Sequence, residues 1–528
     1  MSVLTLSFIC FLLTVLVLYY VVPKKTQWIV LLAASCVFYL SFGAKYILYI
    51  LTDSLLIYVS ARQMNKIDEK QRQAVRAVED RASKKAVKAQ FQSKKKRLLI
   101  CTLIAVFGIL VAVKYSVFLY RQICSLGSLL LLPPGFFPEY RGLVAPIGIS
   151  FYTFQSTGYL LDVYWKKYES EKNYARFLLF VSFFPQIIQG PINRFDHLSD
   201  QLFAQHAFDY HRFSYGCQRM VWGFLKKTVV ADRISPYLSD IFANYTNSSG
   251  LNLLCAAFMY SVQIYADFSG YMDIFCGFCE ILGIDMAENF ERPYFSKSVA
   301  EYWRRWHITL GAWFKDYLYY PIALSRFAQN SSKRAKKRFG QHIGKNTPAI
   351  IALVLVWFLT GLWHGASWAY IAWGGLNGFF IIFSMLFEPL YDKAKSALHI
   401  RESSRMWHAF QVLRTFCLVT MIKVFPEVGT FSDGVGFFGS MIRNMRIPTG
   451  VWDILPAPKG SLDYPCLALM VALMFTVSVI QRKRSVRDYL HEKPVVLRWG
   501  VYLCAVLILL LLGGSVEGTG GGFMYAQF

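Results

Sequence analysis

The chain has 528 residues, 55% of them hydrophobic and only 17% charged, with a mean hydropathy of +0.37 and a formal charge of +24. A soluble chain of this length needs more charge to cover its surface, so most soluble enzymes, a disulfide-stapled secreted scaffold and a disordered chain are excluded. The 56 Lys and Arg residues fall in short stretches between apolar blocks, the positive-inside pattern of a polytopic membrane protein and not that of a nucleic-acid binder.

Taken in chain order, apolar blocks at 3–22, 28–42 and 46–60 come first, each approaching the roughly 20 residues that cross a bilayer core. The first block has neither a basic leader nor a small-residue cleavage site and is expected to be a retained helix. Residues 61–97 form a basic cytoplasmic loop, with 13 Lys and Arg against Asp68, Glu69, Glu79 and Asp80. Block 98–120 runs outward to a polar loop carrying Pro133, Pro134 and Gly135, and block 143–165 returns to Lys166, Lys167 and Lys172. The middle, 175–320, is interrupted by Pro185, Gly190, Pro191, Pro236 and Pro293. Broken helices are tolerated at membrane depth where protein or a water-filled cavity surrounds them, so an internal site is expected there. Residues 326–345 hold seven Lys and Arg and no acid, again cytoplasmic. Blocks 348–363, 368–387, 407–425, 466–480 and 496–512 then alternate, with an extracytoplasmic loop at 426–464. Ten crossings plus an even number in the middle put both termini outside. The basic stretches read as solvated loops that also touch anionic lipid, or as a site for an anionic cytosolic ligand.

Charged groups at bilayer depth mark function or a buried pair. Asp162, Asp267 and Asp273 are such groups, and both readings apply to them. Cys276 and Cys279 have redox or zinc spacing but lie in an apolar helix with no second pair. The segment from Asn289 to Pro321 is densest in polar and aromatic residues. Ser298 and Glu301 are spaced for a capping box, and at helical spacing Trp303, His307, Leu310 and Phe314 share one stripe. An interfacial amphipathic helix accounts for its tryptophans and for Arg304, Arg305 and Lys315, but not for a histidine on the apolar stripe. Farther on, His364 lies between Gly361 and Gly365, glycines that admit another backbone or a substrate. Of the nine histidines, His307, His364 and His408 have strongly apolar surroundings. A lone one of these is usually a hydrogen-bonded core residue; two in a chain of broken helices make a candidate site.

Five stretches carry a resemblance: Pro146-Ile-Gly-Ile-Ser-Phe-Tyr-Thr-Phe-Gln155, Tyr265-Ala-Asp-Phe-Ser-Gly-Tyr-Met-Asp273, Arg292-Pro-Tyr-Phe, Tyr302-Trp-Arg-Arg-Trp-His307 and Gly361-Leu-Trp-His-Gly365. With the tail Gly522-Phe-Met-Tyr-Ala-Gln-Phe528, where Ala526 departs from the usual aromatic, the chain resembles the membrane-bound O-acyltransferases, in particular the bacterial alginate O-acetyltransferase integral-membrane subunits. The resemblance implies an all-α ring of tilted transmembrane helices, some broken or re-entrant, around a central tunnel. It implies one integral-membrane domain over 1–528, with the catalytic core in 143–365 and the following helices, in a bacterial plasma membrane. His364 falls on the histidine inside the tunnel and His307 on the second family histidine. The implied reaction moves an acyl group, most simply acetyl, from acetyl-CoA or another cytoplasmic thioester to a hydroxyl of an extracytoplasmic cell-surface polysaccharide. An extracytoplasmic SGNH-type protein is the expected partner, membrane lipid the surroundings, and no bound cofactor is expected. His364, with an ordinary pKa near ~6.5, suits the general base; His307 is expected to orient the acyl carbonyl or the acceptor. Arg304, Arg305 and Lys315 suit the phosphates of coenzyme A or a phosphopantetheine carrier, and Trp303, Trp306, Trp363, Asp267 and Gln155 complete the expected donor and substrate set. D-alanyl transfer to teichoic acid, by a shorter branch without this tail, and peptidoglycan O-acetylation are alternatives. A transporter or flippase is the rival of another class; it predicts internal repeats, and the two halves show no convincing self-similarity.

Overall fold

The computed structural model of the chain describes residues 5–451 apart from 132, 134 and 135, together with 454–455 and 463–513. Pro134, Gly135 and the tail motif at 522–528 lie outside the described residues. Within them the chain is helical, and extended pairing is confined to one antiparallel bridge between Phe290 and Trp306. Among the described residues seven helices are long and apolar enough to cross a membrane: Ala44–Arg76, Arg81–Leu129, Gly250–Ile281, Gln341–His364, Trp368–Leu386, Arg405–Glu427 and Val495–Leu512. The chain is thus an all-α, multi-pass membrane protein.

Three of the ten expected crossings are shorter helices: Leu6–Val21, Gln27–Leu40 and Ile149–Tyr164, of 16, 14 and 16 residues. At about 1.5 Å per residue each falls short of a hydrocarbon core of roughly 30 Å. Conversely, the interrupted middle contains one unbroken helix of 32 residues, Gly250–Ile281.

The expected basic loop at 61–97 is an antiparallel helical hairpin of Ile47–Arg76 and Arg81–Leu110. Ala, Lys, Arg and Gln are strong helix formers, so a solvated charged run has no need to unwind. The Asp80 carboxylate starts the second helix by accepting from the amides of Ala82 and Ser83 at 3.2 and 2.7 Å. Those bonds favour its charged form and hold its pKa below the usual carboxylate value. The loop expected at 426–464 is likewise partly helical. Pro426 and Glu427 close the preceding helix, and Phe431–Arg443 begins at a Thr430–Asp433 capping box.

The chain divides into two compact units. The first extends to Tyr210 and takes in Leu282–Ala287. Its core is aromatic, with Phe8, Phe38, Phe177, Phe180 and Phe184 fully buried. Within it the Asp162 carboxylate pairs with Lys167 at 2.6 Å, and Asp68 is held between Lys95 and Lys166 at 2.6 and 2.9 Å.

The second unit comprises His211–Ile281 and the described residues from Glu288 onward. Here Tyr210–Leu225 runs antiparallel to Gly250–Ile281, in contact at two glycine pairs: a Cβ on Gly223 would lie 2.6 Å from the Gly270 carbonyl, and one on Gly277 2.6 Å from that of Gly216. Close backbone contact at small residues drives helix association where water supplies no hydrophobic force. The same helix widens into a π-turn at Lys226–Ala231, which sets two consecutive lysines toward the neighbouring span. Lys226 pairs with Asp273 at 2.6 Å, and Lys227 with Asp267 at 2.7 Å and Asp232 at 2.8 Å. Arg219 reaches Asp273 at 2.9 Å and Glu288 at 2.7 Å. The ion-pair reading of Asp267 and Asp273 therefore describes their surroundings, with lysine as the main cation.

A third close contact sets the site. Gly361 faces Gly374 where Gln341–His364 meets Trp368–Leu386: a Cβ on Gly361 would lie 2.5 Å from the Tyr370 carbonyl, and one on Gly374 3.0 Å from the Gly361 Cα. Gly374→Val is expected to push the helices apart and destabilise the protein by about 1–3 kcal/mol, read as a lower melting temperature in detergent; an unchanged melting temperature would show that the contact is dispensable.

Candidate active site

His307 does not lie on a continuous helix. Helices Val299–Arg305 and Ile308–Phe314 are separate, and His307 between them is left-handed, at φ 49° and ψ 53°. A helix of L-residues cannot continue through that conformation, which costs a non-glycine residue roughly 1–2 kcal/mol, so the expected stripe of Trp303, His307, Leu310 and Phe314 does not form. The break is held by a short extended stretch alongside it: the Glu291 amide donates to the Arg305 carbonyl at 2.9 Å and the Ile308 amide to that of Asn289 at 3.1 Å. The Ser298 hydroxyl caps the first helix by accepting from the Glu301 amide at 3.1 Å, while the Glu301 carboxylate accepts from the Lys297 amide.

The Asn289 side chain fixes the imidazole. Its Oδ1 accepts from the Thr309 amide at 3.0 Å and from the Thr309 hydroxyl at 2.7 Å, and lies 3.4 Å from His307 Nδ1. An atom that accepts from an amide is the oxygen, so Nδ1 carries the proton and the Nε2 lone pair is the basic one. The ring meets Phe268 edge-on at 5.0 Å. Burial pushes the His307 pKa down to about 3, so the imidazole is neutral throughout the physiological range.

His364 is the last residue of Gln341–His364, and Gly365 turns the chain into an extended conformation there. The Gly365 amide donates to the Gly361 carbonyl, and Ser367 caps the next helix by accepting from the Tyr370 amide. The turn leaves the buried His364 imidazole between two indoles, 4.8 Å from Trp363 and 4.8 Å from Trp373. Trp363 also lies 6.2 Å from the His307 ring. Two histidines 57 positions apart in the chain thus meet one indole. Trp303 joins the same cluster, edge-on to Trp357 and Trp373 at 5.0 and 5.5 Å, and its Nε1–H donates to Asn377 Oδ1 at 2.9 Å.

Of the expected site residues, His307, His364, Trp303 and Trp363 come together. Trp306 is buried next to them, 5.0 Å from Phe290 and 5.6 Å from Tyr302. Asp267 faces Lys227 instead. Arg304 is exposed, Arg305 is paired with Glu301 at 2.7 Å, and exposed Lys315 lies 5.7 Å from the Tyr320 ring. Gln155 belongs to the first unit, where its amide donates to the Phe180 carbonyl at 3.0 Å. His408 is half-buried. Asn289, Asn377, Trp373 and Lys423 were not singled out from sequence. For Lys423 the signal was present, as a lone cation in an apolar run.

The pattern of the MBOAT, membrane-bound O-acyltransferase, family matches residues 170–336, which include His307; the Gly361–Gly365 motif lies beyond its end. Over 401 residues, covering 73% of this chain and 76% of the other, the sequence is 30% identical to a Pseudomonas putida protein named probable alginate O-acetylase AlgI. The chain belongs to the membrane-bound O-acyltransferase family. A Pseudomonas fluorescens protein of the same name is 31% identical over 352 residues, 67% of this chain and 63% of that one. A Helicobacter pylori protein named peptidoglycan O-acetyltransferase is 31% identical over 266 residues, 46% of this chain and 47% of that one. The matched stretches span less than two thirds of these last two relatives. In this family member the two histidines and the tryptophans around them form the candidate active site.

Proposed function

We propose that the protein is an O-acyltransferase that moves an acyl group, most simply acetyl, from a cytoplasmic thioester to a hydroxyl of an extracytoplasmic polysaccharide. The observation that carries this reading is the meeting of His307 and His364 at Trp363, in a chain whose relatives are named for O-acetyl transfer.

The two imidazoles sit in unlike electrostatic surroundings. His364 ends a 24-residue helix, where the carbonyl end of the dipole favours a positive charge formed there. It therefore serves as general base. As the acceptor oxygen attacks the thioester carbonyl, His364 takes the hydroxyl proton. The tetrahedral oxyanion then collapses, the C–S bond breaks, and the departing thiolate takes the proton back. His307 resists protonation, and its Nε2 lone pair can only accept, so its part is to align the acceptor hydroxyl and not the acyl carbonyl. Trp303, Trp306 and Trp363 contribute apolar walls that exclude water from the thioester. Exposed Arg304 and Lys315 are the cations best placed to meet donor phosphates. The basic hairpin tip at 61–97 faces the cytoplasm, which puts the thioester on that side. An SGNH-type extracytoplasmic protein takes part in delivery to the polysaccharide. A transporter reading is less favoured, because the carboxylates of Asp267 and Asp273 are engaged by lysines.

The test is purified protein with labelled acetyl-CoA and deacetylated alginate, with and without a co-expressed SGNH-type partner. Label appearing in hydroxylamine-sensitive ester is expected. Acetyl-CoA left intact in both mixtures, with labelled solute crossing protein-bearing liposomes, would replace this reading with transport.

A further inference from the structure

Lys423 lies in the helix Arg405–Glu427, and only 5% of it is exposed. Among the described residues no ion pair involves it. Its ammonium donates to the Tyr294 hydroxyl oxygen at 2.8 Å and stands over three rings, 4.1 Å from Trp306, 4.7 Å from Tyr294 and 5.1 Å from Tyr302. The Tyr294 hydroxyl donates in turn to the Ser261 carbonyl, and the Ser261 and Thr420 hydroxyls bond at 2.9 Å. The cation is therefore held in one orientation by two helices and an aromatic box.

Burying an ammonium without a carboxylate is costly, and a desolvated cation–π contact offsets only part of that cost. Methionine would fill the same volume at lower cost, so packing alone does not account for a charge here. What the charge grips is Trp306, whose face is its nearest aromatic partner. Trp306 is bridged to Phe290 and immediately precedes His307, the left-handed residue whose conformation sets where its imidazole points. A turn of the indole would be carried straight into that residue.

We propose that Lys423 is a positioning residue for acyl transfer: its ammonium pins the face of Trp306 and so fixes the backbone that directs His307 toward Trp363. This rests on the acyl-transfer reading, and its test has a readout independent of it. Lys423→Met and Lys423→Arg are compared with the unaltered protein by steady-state kinetics with acetyl-CoA and by amide hydrogen exchange. Lys423→Met is expected to lower kcat about 10- to 100-fold, as for a slightly misplaced group, with KM little changed. Exchange should quicken at the amides of Glu291, Trp306 and Ile308, and Lys423→Arg should recover most of the kcat. If Lys423→Met does not fold, Trp306→Leu removes the ring and keeps the charge, and faster exchange at Glu291 and Ile308 is again expected. Unaltered kcat and exchange in these variants would overturn the proposal, as would an Arg variant as impaired as Met. An unaltered protein that consumes no thioester would sink the acyl-transfer reading alone, and the exchange data would still decide whether Lys423 holds the break at His307.

Discussion

His364→Ala is expected to lower acyl transfer by about 10²- to 10⁴-fold, the usual contribution of a general base, while the protein still folds and inserts. The imidazole stands at the end of its helix, and the helix pair is held upstream by Gly361 against Gly374, so removing the ring leaves that contact intact. What is lost is the proposed general base, which lies beside Trp363 and Trp373. Product formation and melting temperature, measured on the same purified sample, separate the two effects. Near-normal O-acylation by folded His364→Ala would remove the general base from the mechanism.

The second large effect is expected at His307. Both His307→Ala and His307→Asn should lose about 10²-fold or more in kcat, since each removes the imidazole proposed to align the acceptor hydroxyl. They should differ in stability. Asparagine tolerates the left-handed region that His307 occupies and alanine does not, so the Asn variant is expected to melt near the unaltered protein and the Ala variant below it. Because His307 stays neutral down to about pH 3, any acid limb in the pH–rate profile between pH 5 and 8 belongs to a different group. An acid limb that vanished in His307→Asn, with the rest of the rate retained, would contradict that assignment.

Much of the architecture could be read from composition, because bilayer-length apolar blocks and basic intervals follow directly from the solvent they face. The helix after His364 fell close to its expected limits, whereas the one before it ends as expected but begins at Gln341, seven residues ahead of the expected start, and carries Pro348 inside it. Misreadings came where length and charge do not decide. Residues 61–97 form a helical hairpin because helix propensity is indifferent to whether a charged run lies in water. The stretch Ile149–Tyr164 starts late because Gly148, at φ 75°, turns the chain first. The two histidines were visible as polar residues in apolar surroundings, but their meeting depends on a break that a 3.6-residue periodicity conceals. That break is set by Asn289 and the Phe290–Trp306 bridge, contacts made across 16 to 20 residues that no local pattern encodes. Lys423 belongs to the same class: a lone lysine in a helix announces itself, and its aromatic partners do not.

The central claim is that one imidazole, at position 364, serves a thioester from one side of the membrane and an alcohol from the other. The most direct measurement uses liposomes carrying the protein, with labelled acetyl-CoA on the side of the 61–97 hairpin and acceptor glycan with the SGNH-type partner on the opposite side. Ester-linked label on the glycan, abolished by His364→Ala and absent when donor and acceptor exchange sides, is the predicted result. Equal labelling from either side, or labelling that persists in the alanine variant, would contradict the account.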